Sequence, residues 1–315
     1  MIKIYKTNIE ENLIIEEKQE IERNCWINVI MPTKEEIELL SKKIGISEND
    51  LAKFLDEEEQ ARTEVEDNYR LIVLDIPTFE KHTTYNVSVT VPLIILQVND
   101  EYIVTMCTKE TDIFNDFIQG KVKNFYTEKK SRFTMQIMLK VASSYIKDLE
   151  NINEETNKSE KSLKKSTSNN DLLKLMHLQK SLVYFSTSLR SNDVVLEKLQ
   201  KTDLIPLYEE DIDVLEDVII ENKQAIEMAS IYSSILSSTI EVFGTIISNN
   251  LNKIMKFLAG FTIVISIPTI VASFMGMNVP LGMFSDNPLS FFIIFLLSII
   301  LSLIAAIILK NKNML

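Results

Sequence analysis

Residues 257–275 read FLAGFTIVISIPTIVASFM, residues 276–278 read GMN, and residues 289–309 read LSFFIIFLLSIILSLIAAIIL. Each apolar run is close to the ~20 residues a helix needs to cross a bilayer. Everything before them is polar enough to be soluble. The chain therefore reads as a large water-soluble body held by two membrane spans, with Gly276-Met277-Asn278 at the far tip of the hairpin between them.

Charge divides along the same line. Residues 253–315 hold Lys253, Lys256, Lys310 and Lys312 against Asp286, a net +3, which leaves −15 on the remainder of a chain whose total is −12. So acidic a body argues against nucleic acid as a partner, because that binding neutralises phosphates. It suits the gathering of cations. The lysines bracket the two spans, whereas residues 279–288 between them carry no Lys or Arg. The positive-inside tendency then places both termini and the acidic body in the cytoplasm and the tripeptide outside. The N-terminus shows no signal-peptide pattern. Cys25 and Cys107 lie in strand-like apolar stretches and are expected to be buried free thiols, which fits a reducing compartment.

Residues 1–130 mix strand and helix patterns and are expected to form a cytoplasmic α/β or α+β domain. Trp26–Ile30 reads as a strand, Lys34 to Ile44 as a helix that starts on acids and ends at Gly45, and Asn49 to Glu59 as a second helix. Tyr69–Ile76, Ser88–Val98 and Tyr102–Cys107 read as strands, with Asn99-Asp100 turning the last pair into a hairpin. Residues 131–206 read as a helical hairpin, broken by the polar cluster Ser166 to Asp171.

Pro206 is followed by an unbroken helical pattern as far as Pro268. Acids open it, favourably for the helix dipole. One apolar stripe runs Leu215, Ile219, Ile226, Ala229, Leu236, Ile240, Phe243, Ile247, with Asn222 and Ser233 filling its gaps. A second includes Val218, Ala225, Tyr232, Ile235, Val242 and Ile246. Such a helix is buried against more than one neighbour. No loop signal separates it from the first span, so one helix of ~100 Å is expected from about Leu207 to Met275. It divides into a stalk (207–253) and a first span (254–278). An outer loop (279–288), a second span (289–309) and a basic tail (310–315) complete the chain.

The first span carries a narrow stripe of small or polar positions: Asn252, Met255, Ala259, Thr262, Ser266, Thr269, Ser273 and Gly276. Two explanations are open. Small residues let membrane helices approach each other, or several copies of the helix line a water-filled pore. No ionisable group lies on the stripe, which speaks against a proton relay.

The tripeptide after an apolar span, followed by a second span and a basic tail, resembles the CorA family of divalent-cation transporters. Asn252-Lys253-Ile254-Met255-Lys256 resembles the family's cytoplasmic pore entrance at the family's spacing, and Trp26-Ile27-Asn28 resembles an early family strand. The resemblance implies a funnel-shaped homopentamer that imports Mg²⁺, with Co²⁺ or Ni²⁺ as further substrates. Gly276, Met277 and Asn278 would form the selectivity ring, and Met255 and Leu258 a hydrophobic constriction on the pore-lining stripe. A ring of Asn278 amides could hold the waters of a hydrated Mg²⁺ without stripping them. A tight turn would explain Gly276 but not Asn278.

The resemblance also implies gating by Mg²⁺ bound between subunits. Asp217 matches one acid of that site. The expected acidic partner pair reads Ala52-Lys53 here, so Asp56 and its acidic neighbours one turn on could substitute, or Lys53 could contact Asp217 directly. Mg²⁺ is then substrate and regulatory ligand, no cofactor is implied, and nothing in the chain makes a case for an enzyme. His82 and His177 are assigned no role. A zinc transporter of the same superfamily and a non-transporting anchored scaffold are the alternatives. Oxygen-rich pore chemistry argues mildly against zinc.

Overall fold

The computed structural model describes residues 1–8, 14–57, 59–81, 86–165, 169–202, 204–206, 208–277, 289–312 and 314. They form two compact units, Met1–Ile240 and Glu241–Leu315.

The first unit is built on a mixed seven-stranded sheet. Its strands are β1 (Ile2–Asn8), β2 (Ile14–Lys18), β3 (Trp26–Ile30), β4 (Arg62–Val65), β5 (Tyr69–Lys81), β6 (Asn86–Val98) and β7 (Tyr102–Cys107), in the order β2-β1-β3-β7-β6-β5-β4. β3 and β7 run parallel; every other pairing is antiparallel. The central strands β3 and β7 are almost wholly buried, as continuous apolar runs require. Sequence reading found β3 and β7 and the core of β5 and β6, but not β1, β2 or β4. β2 (IIEEK) and β4 (RTEV) are short, charged edge strands. Charge protects a sheet edge from stray pairing, and it also dilutes the alternating pattern that announces a strand.

The β5–β6 hairpin is longer than its apolar core suggests. Within β6, β7 pairs only with Leu93–Val98, so Asn86–Pro92 pairs with β5 alone. Pro92 sits where the β7 ladder stops, and Pro77 lies beyond the reach of β4, which covers only Arg70–Val73. Each proline thus stands where the sheet needs no further donor.

One sheet face carries Ile27, Val29, Leu71, Val73, Ile94, Leu96 and Val104, packed under α1 (Lys34–Ile44) and α2 (Glu48–Phe54). Thr33 and Glu36 cap α1 reciprocally, and Gly45 ends it at φ 73°, a left-handed cap that glycine adopts without strain. α2 stops at Phe54, five residues short of the expected Glu59. No apolar residue follows Leu55 to hold another turn, and Glu59 instead pairs with Arg62 at the start of β4. The opposite face carries Trp26, which packs on Tyr5, Phe114, Phe125 and Phe133 at ring-centroid distances of 5.0–6.3 Å. Its indole nitrogen donates to Thr105 Oγ1 at 2.8 Å, and that hydroxyl donates to Asn28 Oδ1 at 3.0 Å, so a large buried aromatic keeps its polar edge satisfied. This face lies under α3 (Asn115–Ile118), α4 (Lys130–Lys165) and α5 (Asn169–Lys201).

α6 (Glu209–Met275) is a single helix of 67 residues, as the missing loop signal implied. Arg132 of α4, largely buried, reaches the buried Asp211 at 3.5 Å. The buried line on its first half differs from both expected stripes: Leu215, Val218, Asn222, Ala225, Ala229 and Leu236 are covered, while Ile219 and Ile226 are only half-buried. Strict three–four spacing puts this seam between the two stripes. The helix carries more apolar surface than one chain covers; Ile212, Ile220, Ile231 and Ile235 remain exposed.

The second unit holds the rest of α6 and α7 (Ser290–Asn311). Both helices are long and apolar enough to cross a membrane.

Candidate cation pathway

Within the apolar half of α6 the least exposed line is Gly260, buried, and Val264, Ile267, Val271 and Met275, half-buried; Ser266 is half-buried off that line. Ile294, Ser298, Ser302, Ala305 and Leu309 form the corresponding least-exposed line on α7. These two lines are the least exposed faces of the two helices, and Gly260 is the small residue on the α6 line. The polar stripe does not share that face. At ~100° per residue, Asn252, Met255, Ala259, Thr262, Ser266, Thr269, Ser273 and Gly276 lie about 100–180° around the helix from its centre. All are exposed in the single chain except Ser266, which is half-buried. Met255 is 59% exposed and Leu258 55%.

The stripe hydroxyls have a defined polarity. Thr262 donates to Leu258 O at 2.8 Å, Ser266 to Thr262 O at 2.8 Å, and Thr269 to Ile265 O at 3.3 Å. Each hydroxyl proton is thus held inside the helix, while the oxygen lone pairs stay available. Such a surface accepts hydrogen bonds. Pro268 lacks a backbone donor, and the Thr269 bond to Ile265 supplies a partner to a carbonyl beside the break.

Gly276 continues the helix, its N–H donating to Ala272 O at 3.0 Å. Its φ is not in the left-handed region, and an added Cβ would meet only ordinary contacts at 3.5 and 3.6 Å. Nothing local in one chain demands a glycine there. Asn278 and residues 279–288 lie outside the described residues, as does His82.

The acids assigned to regulation are both exposed: Asp217 on the first half of α6, and Asp56 just past α2. Lys53 forms an ion pair with Asp50 at 3.5 Å, one turn back on its own helix. Among the described residues no group of three or more His, Cys, Asp or Glu is placed to hold a metal. Cys25 and Cys107 are buried and free, and burial raises both thiols.

Sequence reading passed over two buried carboxyls. Burial pushes Asp75 on β5 and Asp148 on α4 up to about 6. The backbone of Asp75 is held by Asn192, whose Oδ1 accepts from its N–H at 2.9 Å and whose Nδ2 donates to its carbonyl at 2.8 Å; Tyr145 donates to the same carbonyl at 3.1 Å. An acid inside the apolar run Leu71–Ile76 was the available signal.

Residues 22–311 match the family described as CorA-like Mg2+ transporter protein. The chain is 28% identical over 302 residues to the cobalt/magnesium transport protein CorA of Methanocaldococcus jannaschii, covering 92% of this chain and 91% of that one. The complete structure of the CorA magnesium transporter from the same organism superposes with a TM-score of 0.82 at 27% identity, over 98% of this chain and 96% of that chain. The full-length CmaX protein (TM-score 0.69, 16% identity, 98% and 97% covered) shares the fold. So does the cytoplasmic domain of ZntB from Vibrio parahaemolyticus (TM-score 0.58, 11% identity, 79% and 97% covered). Because the match runs through the sheet, the long helix and both apolar helices together, the chain belongs to the CorA-like Mg2+ transporter family.

Proposed function

We propose that five copies of this chain form a channel-like importer of Mg²⁺ across the cytoplasmic membrane, with α6 lining the path and α7 outside it. The carrying observation is that the small and polar stripe of α6 is exposed in the single chain, half-buried Ser266 apart, so packing within the chain does not account for it. The bound hydroxyl protons of Thr262, Ser266 and Thr269 support the same reading. Their free lone pairs can accept hydrogen bonds from the waters of a hydrated cation, and Mg²⁺ keeps those waters tenaciously. The relative's cobalt/magnesium transport agrees with this cargo.

In this reading Asn278 and the backbone near Gly276 receive the hydrated ion at the outer mouth. A side chain at Gly276 would crowd a ring of neighbouring copies though not its own chain. Met255 and Leu258 close the path near its inner end by excluding water. Lys253, Lys256, Lys310 and Lys312 set the orientation, with both termini in the cytoplasm. An inside-negative potential drives entry with ~4.6 kcal/mol per divalent ion at 100 mV, so no ATP site is required. Asp217 and Asp56 take a regulatory cation between neighbouring copies.

The test is flux into liposomes under an inside-negative potential, with Mg²⁺, Co²⁺ and Zn²⁺ supplied separately and in competition. Mg²⁺ uptake that Asn278→Ala abolishes supports the proposal. Uptake of Zn²⁺ alone would make the chain a zinc transporter. No uptake of any ion would leave an anchored scaffold and end the transport reading.

A further inference from the structure

We infer that Asn222 is a positioning residue that sets the axial register of α6 against the α4–α5 pair, and through that register the setting of the ion path. The inference rests on the transport reading for its second half only. Around Asn222 the seam is Leu215, Val218, Ala225, Ala229 and Leu236, all 4% exposed or less. Apolar burial is non-directional. In a seam repeating every three and four residues, a helix displaced by one turn or one heptad meets a similar apolar surface. The two alanines also offer little shape to resist a slide. Apolar packing therefore holds α6 in place laterally but discriminates poorly among positions along its axis.

Asn222 supplies the discrimination. It is 2% exposed, and Nδ2 donates to Leu189 O and to Asp193 Oδ1 of α5, both at 3.3 Å. A displaced α6 would strand this amide among apolar side chains without partners, a state that buried amides avoid. A lone asparagine within a helical seam is an established way to select one register. Glu221 next to it bonds Ser143 of α4, so adjacent residues tie α6 to both helices of the pair. Further along, Gln179 Nε2 donates to Ser237 Oγ at 2.9 Å on the surface, a convenient marker of the native register.

The test uses the full-length chain in liposomes. Cysteine pairs are placed at 179/237 for the native register and at 179/234 and 179/230 for displaced ones, and intrachain cross-linking is read beside Mg²⁺ flux and thermal midpoint. With Asn222 present, 179/237 is expected to dominate. Asn222→Leu is expected to keep or raise the midpoint while raising the displaced cross-links relative to 179/237 by about tenfold, the change one ordinary buried hydrogen bond enforces. The parent's flux is expected to change severalfold in the same variant. Asp193→Ala, which leaves the Leu189 carbonyl as partner, should fall between; it decides the matter if Asn222→Leu does not fold. An unchanged cross-linking pattern in the folded variants overturns the register role. A displaced pattern with unchanged flux overturns the link to the ion path. Absence of Mg²⁺ flux in the parent overturns the transport reading alone, since cross-linking does not depend on it.

Discussion

The two halves of α6 use one spacing for opposite ends. In Glu209–Ile240 the three–four line is apolar and turned inward, with Leu236 fully buried. In residues 252–276 the corresponding line is small and polar and, half-buried Ser266 apart, left exposed, while the bulky residues beside it, Phe257, Phe261 and Phe274, are 50–62% exposed. The surroundings explain the inversion. Water rewards covering apolar groups. Lipid rewards nothing of the kind, so polar positions there either pair or face water. The same helical period thus marks a core in one solvent and a candidate ion path in the other.

The largest expected effect tests the uncovered line. Thr262→Leu replaces an acceptor with a branched apolar group and should lower Mg²⁺ flux by about tenfold or more through dewetting. Ile263→Leu, one residue off the stripe, should leave liposome flux nearly unchanged. Equal losses in the two variants would break the comparison.

Next comes one substitution made in both halves. Leu236→Ala should cost about 2–5 kcal/mol in denaturant unfolding, because it opens a cavity in a closed seam. Leu258→Ala, at an exposed position, should cost under about 1 kcal/mol and show itself as raised basal ion leak. A large stability loss at Leu258 would mean that the line is covered after all.

A smaller effect concerns the α4–α5 platform on which the first half rests. The Asp75 carboxyl titrates at about 6, pushed up by burial and accepting from Ser188. Tyr145 on α4 is the titratable group beside it, and α5 and β6 present neutral Ser188, Asn192 and Thr90. Its folded pKa exceeds the unfolded value, so its contribution is most favourable below pH ~4 and is lost as pH rises to about 6. Asp75→Asn should remove that slope and gain on the order of 1–2 kcal/mol at pH 8 relative to the parent. Thermal midpoints of parent and variant across pH 4–8 measure it; parallel profiles would rule it out.

The smallest effect lies near where the two halves meet. Gly244 is helical, with nothing within 4 Å of an added Cβ. Gly244→Ala should stabilise α6 by about 0.5–1 kcal/mol through reduced backbone freedom. Flux unchanged beside a raised midpoint would show that bending at Gly244 plays no part in transport.

Much of this was legible in the residues. Trp26–Ile30 and Tyr102–Cys107 announced themselves because central strands are continuous apolar runs. The edge strands β2 and β4 did not, since Glu16, Glu17 and Arg62 break the signal that edges must suppress. The stripe on the first span was legible as spacing, but its meaning was not. Two explanations fitted it, and one chain adds only that the stripe stays largely exposed while Gly260, off the stripe, is buried. Asn222 looked like a gap in an apolar series and is instead the polar member of the seam.

Sequence alone determined what depends on solvent and chain continuity: two helices apolar enough to span a membrane, the charge asymmetry around them, and one unbroken helix from Glu209 to Met275. These follow from local composition and from the lack of any loop signal between Glu209 and Met275, Pro268 being the one interruption of the helical pattern. Tertiary structure decided which face of that helix is covered. A helix offers several plausible faces to its neighbours, and only the placement of α4 and α5 selects among them on its first half. The burial of Asp75 and the pairing of Asn222 were decided the same way, because each depends on what another segment brings to it.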